Sequence, residues 1–490
     1  MRDSIFLFII IYFSLMIENV SGQKYDNTWM MGCCYTPISR LNGGINIRFD
    51  NGDPDTFYIK RDIDFIGTSI SIADPITGDI LFYSNGCHIY NANDQIMESG
   101  MNINPGNTQK ISCAEYGYDL SRGGFILPNN DNKNRYYLIH RALDDTGRTI
   151  DRLYYSEVDL SYNQGFGKVI KKNITLLKQR LYKSHFDATK HANGIDYWVF
   201  TFNHASDTIF RFLIKSNEII GPLNQYFPIP REKYDQRANS TISPDGKIAV
   251  RIDPTNGLFL MDIDRETGLF SNLRQYPYWS SVDSSNVTSV CFSPNGKLLY
   301  VSNRWQMNQF DIEEKDFINS KILIDTFDYF SDPYPTAFYL MQVAPNGKIY
   351  MNCTNGVKYL HTIHKPNERG KACDFRQHDF ILPTQNAFTM PYFPNYRLGP
   401  ITSVHENSKI DKLIVYPNPV SNHLFLKDLN GQSIFSYKVN NTTGSLIKHG
   451  LIRMDNEPSI DVSDLENGVY FLLISNNGIE ITNKKITIIK

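Results

Sequence analysis

No stretch beyond residue 16 approaches the 18 or so consecutive apolar residues that a membrane-crossing helix needs, and the early run from Ile5 to Met16 spans 12 residues. That run follows Arg2 and precedes Val20-Ser-Gly22, where small residues suit a signal peptidase. Residues 1–22 are therefore expected to be a cleaved secretory signal rather than an anchor. No excess of either charge is present: 49 basic residues face 51 acidic ones, for a net charge of −2. Such a chain has no global field to draw it to nucleic acid, and nucleic acid is not an expected partner. No Gly-x-Ser-x-Gly elbow, P-loop, Gly-x-Gly-x-x-Gly fingerprint or His-Glu-x-x-His pattern occurs. Without these, no nucleophile, nucleotide cradle or zinc-binding helix can be assigned, and an enzyme is the less expected outcome.

Tryptophan is scarce, at four residues, but Tyr and Phe number 30 each, and these favour pleated, half-buried positions in strands. The clearest order in the chain is a turn written three times. Thr241-Ile-Ser-Pro-Asp-Gly-Lys-Ile-Ala-Val250 recurs as Cys291-Phe-Ser-Pro-Asn-Gly-Lys-Leu-Leu-Tyr300 and as Val343-Ala-Pro-Asn-Gly-Lys-Ile-Tyr-Met351. In each, an apolar strand meets a Pro that presets φ, then Asp or Asn, then a Gly free to take positive φ. Gly246, Gly296 and Gly347 lie 50 and 51 residues apart, a period that belongs to radial β repeats.

Weaker copies extend the series backwards through Asn193-Gly194, Asn132-Lys-Asn134 and Thr77-Gly78. A further strand pattern follows each turn, from His88 to Asn91, Leu153 to Val158, Thr208 to Leu213, Leu258 to Ile263, Met307 to Ile312 and Val357 to His361. Six repeats thus fill roughly residues 67–385. Ala387 to Phe393 reads as the first strand of a closing blade, with Thr28 to Met31, Ile45 to Phe49 and Thr56 to Lys60 as its other three. Joining the chain ends in one blade removes open sheet edges. The expected fold over residues 23–400 is an all-β, seven-bladed β-propeller, with six blades as the alternative. Residues 401–410 read as a polar linker. Residues 411–490 hold about seven short strands between Asn-Gly, Thr-Gly and His-Gly turns, which suggests a small Ig-like β-sandwich.

Seven cysteines in an exported chain permit disulfides and leave one unpaired. The expected pairs are Cys87 with Cys113 and Cys353 with Cys373, since each brackets one repeat; Cys291 opens an apolar strand and is expected to be a buried free thiol. His361-Thr-Ile-His364 has the look of a metal pair, but residues i and i+3 of a strand face opposite ways. His185 and Asp187 alternate with His191 along an innermost strand, where i and i+2 share a face. Projecting into a central channel, they could bind metal or do acid/base work, and with His204 they are the candidates should the chain be a hydrolase or lyase; a hydrogen-bonded structural pair is the favoured reading. The acidic groups Asp50-Asn-Gly-Asp-Pro-Asp55 and Asp262-Ile-Asp-Arg-Glu-Thr-Gly268 invite calcium, but neither has the oxygen spacing of a 12-residue loop. No cofactor is expected.

Aromatic loops recur in phase with the repeats: Tyr226-Phe227, Tyr276-Pro-Tyr-Trp279, and Phe327-Asp-Tyr-Phe330 with Tyr334. Loops joining one blade to the next share a face with those between second and third strands, which carry Asn303-Arg-Trp-Gln306 among others. Tyr276, Tyr278, Trp279, Arg304, Trp305, Tyr329 and Tyr334 are accordingly the candidate ligand-binding residues. Flat apolar faces stack on a sugar or an extended peptide while amides and cations bond to it. The functional residues are expected on this face, away from the Ser-Pro-Asp/Asn-Gly-Lys turns.

Tyr416-Pro-Asn-Pro-Val420, Ile460-Asp-Val-Ser-Asp-Leu-Glu-Asn-Gly-Val-Tyr-Phe471 and Lys484-Lys-Ile-Thr-Ile-Ile-Lys490 resemble, in that order, the C-terminal sorting domain (type A) of type IX secretion cargo. The family's pattern falls on Tyr416, Pro417, Asn418, Pro419, Gly468, Tyr470, Lys484 and Lys490. The resemblance implies the type IX secretion machinery as a partner and a destination in the medium or on the outer-membrane surface of a Gram-negative bacterium. Residues 23–400 are similar to WD40-like or YVTN-type propellers through the repeated turns. They also resemble a group of uncharacterised secreted propellers through Asn85-Gly-Cys87, His191-Ala-Asn-Gly194 and Phe393-Pro-Asn-Tyr-Arg-Leu-Gly-Pro400. The regular Gly-His and Trp-Asp pairs of true WD40 blades are missing, and this second resemblance brings no activity with it.

Overall fold

A computed structural model describes residues 23–33, 44–50, 52–61, 63–204, 206–230, 239–253, 256–277, 287–401, 413–428, 434–441, 445–453, 458–476 and 479–490. The chain divides into two compact units, Met1–Ile401 and Thr402–Lys490.

The first unit is built from antiparallel meanders in which each strand pairs with the next. β1 (Thr28–Met31), β2 (Gly44–Arg48) and β3 (Asp55–Ile59) form one sheet, and β4 (Ile70–Ala73), β5 (Ile80–Ser84) and β6 (Ile89–Asn91) a second. A short helix, α1 (Asn107–Glu115), leads into a seven-stranded sheet of β7 (Gly124–Pro128), β8 (Arg135–Leu143), β9 (Ile150–Asp159), β10 (Lys168–Lys190), β11 (Tyr197–Asn203), β12 (Thr208–Ile214) and β13 (Ile219–Tyr226). Three four-stranded meanders follow. They are β14 (Ser240–Ile242), β15 (Ile248–Asp253), β16 (Gly257–Ile263) and β17 (Phe270–Tyr276); β18 (Thr288–Phe292), β19 (Leu298–Asn303), β20 (Gln306–Asp311) and β21 (Ile322–Thr326); and β22 (Phe338–Val343), β23 (Ile349–Cys353), β24 (Val357–Ile363) and β25 (Phe375–Asn386).

The turn chemistry phases these meanders. Gly246, Gly296 and Gly347 have φ of 76°, 74° and 77°, values open to glycine without Cβ strain. Ser243 donates to Asp245 at 2.6 Å and accepts the amide of Ile248 at 2.9 Å, which joins β14 to β15. Ser293 does the same between β18 and β19.

The 23-residue β10 is shared between two meanders: up to Leu181 it pairs with β9, and from Phe186 onward with β11, with the register broken between. Buried Arg141 stabilises that break by donating to the carbonyls of Tyr182 and Lys183 at 3.1 and 2.9 Å. Successive first strands pack on one another: β1 on β4, β4 on β7, β10 on β14, β14 on β18 and β18 on β22. Between them lie apolar layers such as Val250, Ile252 and Leu260 against Val290, Leu299 and Val301, each buried side chain worth about 1.5–3 kcal/mol. β25 in turn packs on β2 and β3. The result is an all-β, propeller-like arrangement.

Ala387 to Phe393 does not pair as a strand in the sheet of β1–β3. Phe388 takes a positive φ of 58°, Pro391 has no amide to donate, and the stretch crosses the inner ends of the strands instead. There Thr389 Oγ1 accepts the amide of Gly67 at 3.1 Å and donates to Phe65 O, and Phe393 stacks on Trp29 at 6.3 Å. The chain ends of the unit are then tied by Arg397, which donates twice to Asp26, at 2.6 and 2.7 Å. Ile401 donates to Ala192 O at 2.9 Å while Gly194 abuts Pro400, so His191-Ala-Asn-Gly194 and Phe393 to Pro400 serve to hold the terminal segment.

Cys87 and Cys113 form a disulfide. Cys353 and Cys373 do not: both are buried free thiols, as is Cys291. Cys353 sits at the end of β23 with its Sγ 3.4 Å from His361 Nε2, while Cys373 lies within the β24–β25 connection and joins the apolar cluster of Tyr300 and Met341. Bracketing one repeat put them in one meander but in different apolar surroundings.

The second unit has two antiparallel sheets, one of β26 (Leu413–Tyr416), β27 (His423–Asp428) and β30 (Ser459–Asp461), the other ordered β29 (Leu446–Arg453), β28 (Ile434–Asn440), β31 (Gly468–Asn476) and β32 (Ile479–Ile488). Leu424, Leu426, Val439, Leu472, Ile474 and Ile486 fill the core between them.

Candidate functional site

The innermost strands leave a cavity of about 360 Å³ at the end of the first unit that carries the repeated turns. Pro244, Pro294 and Pro345 border it, Thr189, Thr241, Cys291 and Gln342 line its wall, and Tyr392 and Arg397 of the terminal segment help to cover it. Beside it Arg122 lies 4.4 Å over the Tyr392 ring and 3.5 Å from Asp187, which also accepts Tyr392 Oη at 3.2 Å and the hydroxyl of Ser240. Burial raises the Asp187 carboxyl and the Arg122 charge opposes it. Arg122, Cys291 and Tyr392, which border this cavity, are far apart in sequence and meet only in the folded unit.

His185 is fully buried between Tyr182 and Phe202, at 5.3 and 5.2 Å, with Nε2 3.0 Å from Ser184 Oγ. Burial drives its pKa well below the usual value, which keeps the ring neutral. The His204 ring lies 4.6 Å from Tyr182, tilted by 42°. Thus Asp187 engages Arg122, Ser240 and Tyr392, while both histidines contact Tyr182; the register break at Leu181–Phe186 sets His185 apart from the strand alternation on which a shared face depends. Burial also pushes the Cys291 thiol up to about 12, so it carries no thiolate at neutral pH.

The aromatic face is built on Asn303, whose Oδ1 accepts the amides of Trp305 and Gln306 at 2.8 and 2.7 Å and so closes the β19–β20 turn around Arg304 and Trp305. Trp305 O accepts Phe327 N at 2.8 Å. That bond brings the loop after β21 alongside, and Tyr329, with φ of 63°, turns outward from it. The Trp305 and Tyr329 rings lie 6.4 Å apart and within 26° of parallel, over a buried Phe327 that is 5.8 and 5.4 Å away. Trp305 is 39% exposed and Tyr329 80%, an apolar shelf open to solvent. The Arg304 guanidinium lies 5.3 Å over Trp305. A second ring group stands on the same loop: Phe330 stacks on His378 at 4.3 Å, His378 Nε2 is 2.7 Å from Asp328, and Tyr359 donates to Asp332 at 2.6 Å. Tyr334 is 55% exposed. Tyr276 stands apart, packed on Phe317 at 4.7 Å; Tyr278 and Trp279 lie outside the described residues.

Among the described residues no group of three or more His, Cys, Asp or Glu is placed to hold a metal ion. The acidic stretches have internal partners. Asp50 accepts Asn27 Nδ2 at 2.8 Å, Asp53 pairs with Lys348 at 2.7 Å, Asp262 meets Arg274 and Asn272, and Asp264 caps its own turn through Glu266 N at 2.9 Å. His361 and His364 diverge, the first to Thr336 O at 2.7 Å and the second to Asp379 at 2.6 Å.

In the second unit the three stretches that carry the sorting resemblance meet. Asn418 Oδ1 accepts Thr487 N at 2.9 Å and its Nδ2 donates to Lys485 O at 2.8 Å, while Val420 N donates to Thr487 O at 2.9 Å. Lys490 N donates to Asn467 Oδ1 at 2.8 Å and its Nζ to Ser463 O at 2.6 Å. Gly468 pairs with Ile488, Leu472 with Lys484, and Tyr470 Oη donates to Glu466 O at 3.2 Å. Tyr416 is half-exposed against Phe425, at 5.9 Å.

The family described as secretion system C-terminal sorting domain matches residues 414–490. No curated protein matches the chain. Among solved structures, one from Bacteroides uniformis, provisionally named a 6-phosphogluconolactonase, has 14% identity and a TM-score of 0.44 over 73% of this chain and 97% of that one. A Bacteroides fragilis protein of the same provisional name has 13% identity and a TM-score of 0.43, over 74% and 97%. Chaetomium thermophilum Sqt1, bound to the N-terminus of the ribosomal protein L10, has 13% identity and a TM-score of 0.37, over 70% and 82%.

Proposed function

We propose that this chain is an exported binding protein that type IX secretion delivers to the cell surface or the medium, and that its first unit holds a polysaccharide on the Trp305–Tyr329 shelf. The export half rests on the sorting-domain match over residues 414–490; an Ig-like sandwich accords with the two sheets around one apolar core. A ring of seven blades is supported by two features: β10 serves two meanders, and the last meander packs back on the first. The β19–β20 and post-β21 loops leave the same end of their meander, because strands alternate in direction along the order β18-β19-β20-β21.

The observation that carries the binding reading is the pair of exposed, nearly parallel rings held by hydrogen-bonded turns. Such a shelf presents flat apolar area with few torsions to freeze, which suits the face of a pyranose. The full chain recovered from the medium should be retained on a glycan array without turnover. Trp305→Ala and Tyr329→Ala should each weaken retention about tenfold or more, the roughly 1.4 kcal/mol or more expected of an aromatic anchor. Unaltered retention by both variants, or retention on peptide arrays alone, would sink the shelf as a sugar platform. The competing reading of a channel hydrolase or lyase has weaker footing, because His185 and Asp187 are buried and turned to different partners.

A further inference from the structure

We infer that the ligand of the Trp305–Tyr329 shelf is an acidic polysaccharide whose carboxylate or sulfate groups are received by Arg304. This rests on the shelf reading and adds the charge of the ligand to it. Elsewhere in the first unit buried arginines find acceptors: Arg141, Arg211 and Arg265 donate to backbone carbonyls, and other arginines meet carboxylates, Arg61 reaching Asp94 at 2.8 Å, Arg135 reaching Asp159 at 3.1 Å and Arg397 reaching Asp26 at 2.6 Å. Among the described residues Arg304 meets none. Its guanidinium rests on the Trp305 ring, and its Nε is buried without a hydrogen-bond partner.

Further unpartnered polar atoms among the described residues belong to the adjoining meander, Asn352 Nδ2 and Thr354 Oγ1 among them. Asn352 is fully buried; its Oδ1 accepts Leu340 N at 2.9 Å, which leaves Nδ2 without an acceptor. Thr354, 5% exposed, donates its amide to Ala337 O at 3.0 Å while its hydroxyl has no partner. The next amide along, Phe338 N, donates to Arg304 O at 3.2 Å, so Arg304 and Thr354 grip successive residues of one stretch. A guanidinium and an amide nitrogen can only donate, and a hydroxyl can. The missing complement is an acceptor. A neutral hydroxyl would bond to the Arg304 guanidinium but leave its charge uncompensated; an anionic oxygen group supplies several lone pairs and the opposite charge together.

The carboxylates of the same loops are already engaged: Asp325 with Gln377 Nε2 at 3.0 Å, Asp328 with His378 at 2.7 Å and Asp332 with Tyr359 at 2.6 Å. Among the described residues none of them is paired with Arg304. Uronate and sulfate esters share the chemistry Arg304 would recognise.

The test uses the full secreted chain against three immobilised polymers: a neutral glucan, a polyuronate and a sulfated polysaccharide. At least one acidic polymer should bind about tenfold or more tighter than the glucan, and the preference should shrink as salt rises. Binding by the polyuronate alone assigns a carboxylate, by the sulfated polymer alone a sulfate, and by both a charge-only site; all three support the inference. Arg304→Gln should fall to the glucan level and Arg304→Lys should keep part of the preference, each with a wild-type melting temperature to show that it folds. Equal binding of acidic and neutral polymers, or Arg304→Gln binding acidic polymer like the wild type, would overturn the acidic ligand while leaving the shelf intact. Trp305→Ala binding every polymer like the wild type would overturn the shelf, and with it the inference.

Discussion

Three histidines of the first unit are buried in settings made for the neutral ring. His140 Nδ1 lies 2.6 Å from Asn104 Oδ1, which can only accept, so Nδ1 carries the proton; Nε2, 3.0 Å from Ser156 Oγ, then accepts the hydroxyl. His361 Nε2 donates to Thr336 O at 2.7 Å and its Nδ1 accepts His378 N at 3.0 Å. A second proton on the His361 ring would confront the His378 N–H. Burial lowers His140 to about 3 and His361 to about 4, and drives His185 well below its usual value. The sign follows from linkage: between the unfolded pKa near ~6.5 and the folded values, the unfolded chain binds protons that the native unit cannot. The stabilisation is complete above ~6.5 and is lost progressively as pH falls toward the folded values, by up to about 1.4 kcal/mol per pH unit for each ring. Urea unfolding followed by tryptophan fluorescence reports this unit alone, since Trp29, Trp198, Trp279 and Trp305 all belong to it. The midpoint should fall steadily from pH 6.5 to 5; a flat profile would show that these rings titrate in the native state.

At the scale of elements, three turns that look alike in sequence sit in different surroundings. A Cβ on Gly246 would come within 2.7 Å of Thr189 Oγ1 and 2.8 Å of Leu398 Cδ2, whereas one on Gly347 would meet nothing within 4 Å. Gly347→Ala should therefore lose only the left-handed backbone penalty of about 1–2 kcal/mol, and Gly246→Ala clearly more, as read from unfolding midpoints; equal losses would contradict the packing of the terminal segment on the first turn. The turns and the third strands were legible because local chemistry dictates them: Gly at positive φ, Ser or Asn closing the turn, and two-residue alternation in strands such as β12, β16, β20 and β24. What escaped sequence reasoning depends on contacts distant along the chain. Ala387 to Phe393 has strand composition, yet Pro391 and the positive φ of Phe388 take it out of the ladder. Cys353 and Cys373 share a meander but not a neighbourhood. Of the candidate site, Trp305 and Tyr329 could be placed by repeat phase, whereas Tyr276 went to packing because Phe317, in the β20–β21 connection, fills the space beside it.

For the whole molecule, the chain divides at Ile401–Thr402 into two compact units, the second of which matches the sorting-domain family. Each unit has its own apolar core, and within the second unit the hydrogen bonds of Asn418, Asn467 and Lys490 draw the start, middle and end of the sorting stretch into one folded surface. A machine that reads such a surface needs the unit folded rather than a linear tag, so removing the unit and unfolding it should have the same effect on export. Deleting Leu413 to Lys490 should leave the first unit folded, with its protease resistance and tryptophan emission unchanged, but held inside the outer membrane. Replacing Leu472, fully buried in β31, with Asp should do likewise, because an unpaired carboxylate in that small core costs several kcal/mol. Should the deleted chain still reach the medium in wild-type amounts, the assignment of the second unit to sorting would fall. Export of Leu472→Asp alongside retention of the deletion would instead mean that the machinery reads sequence and not shape.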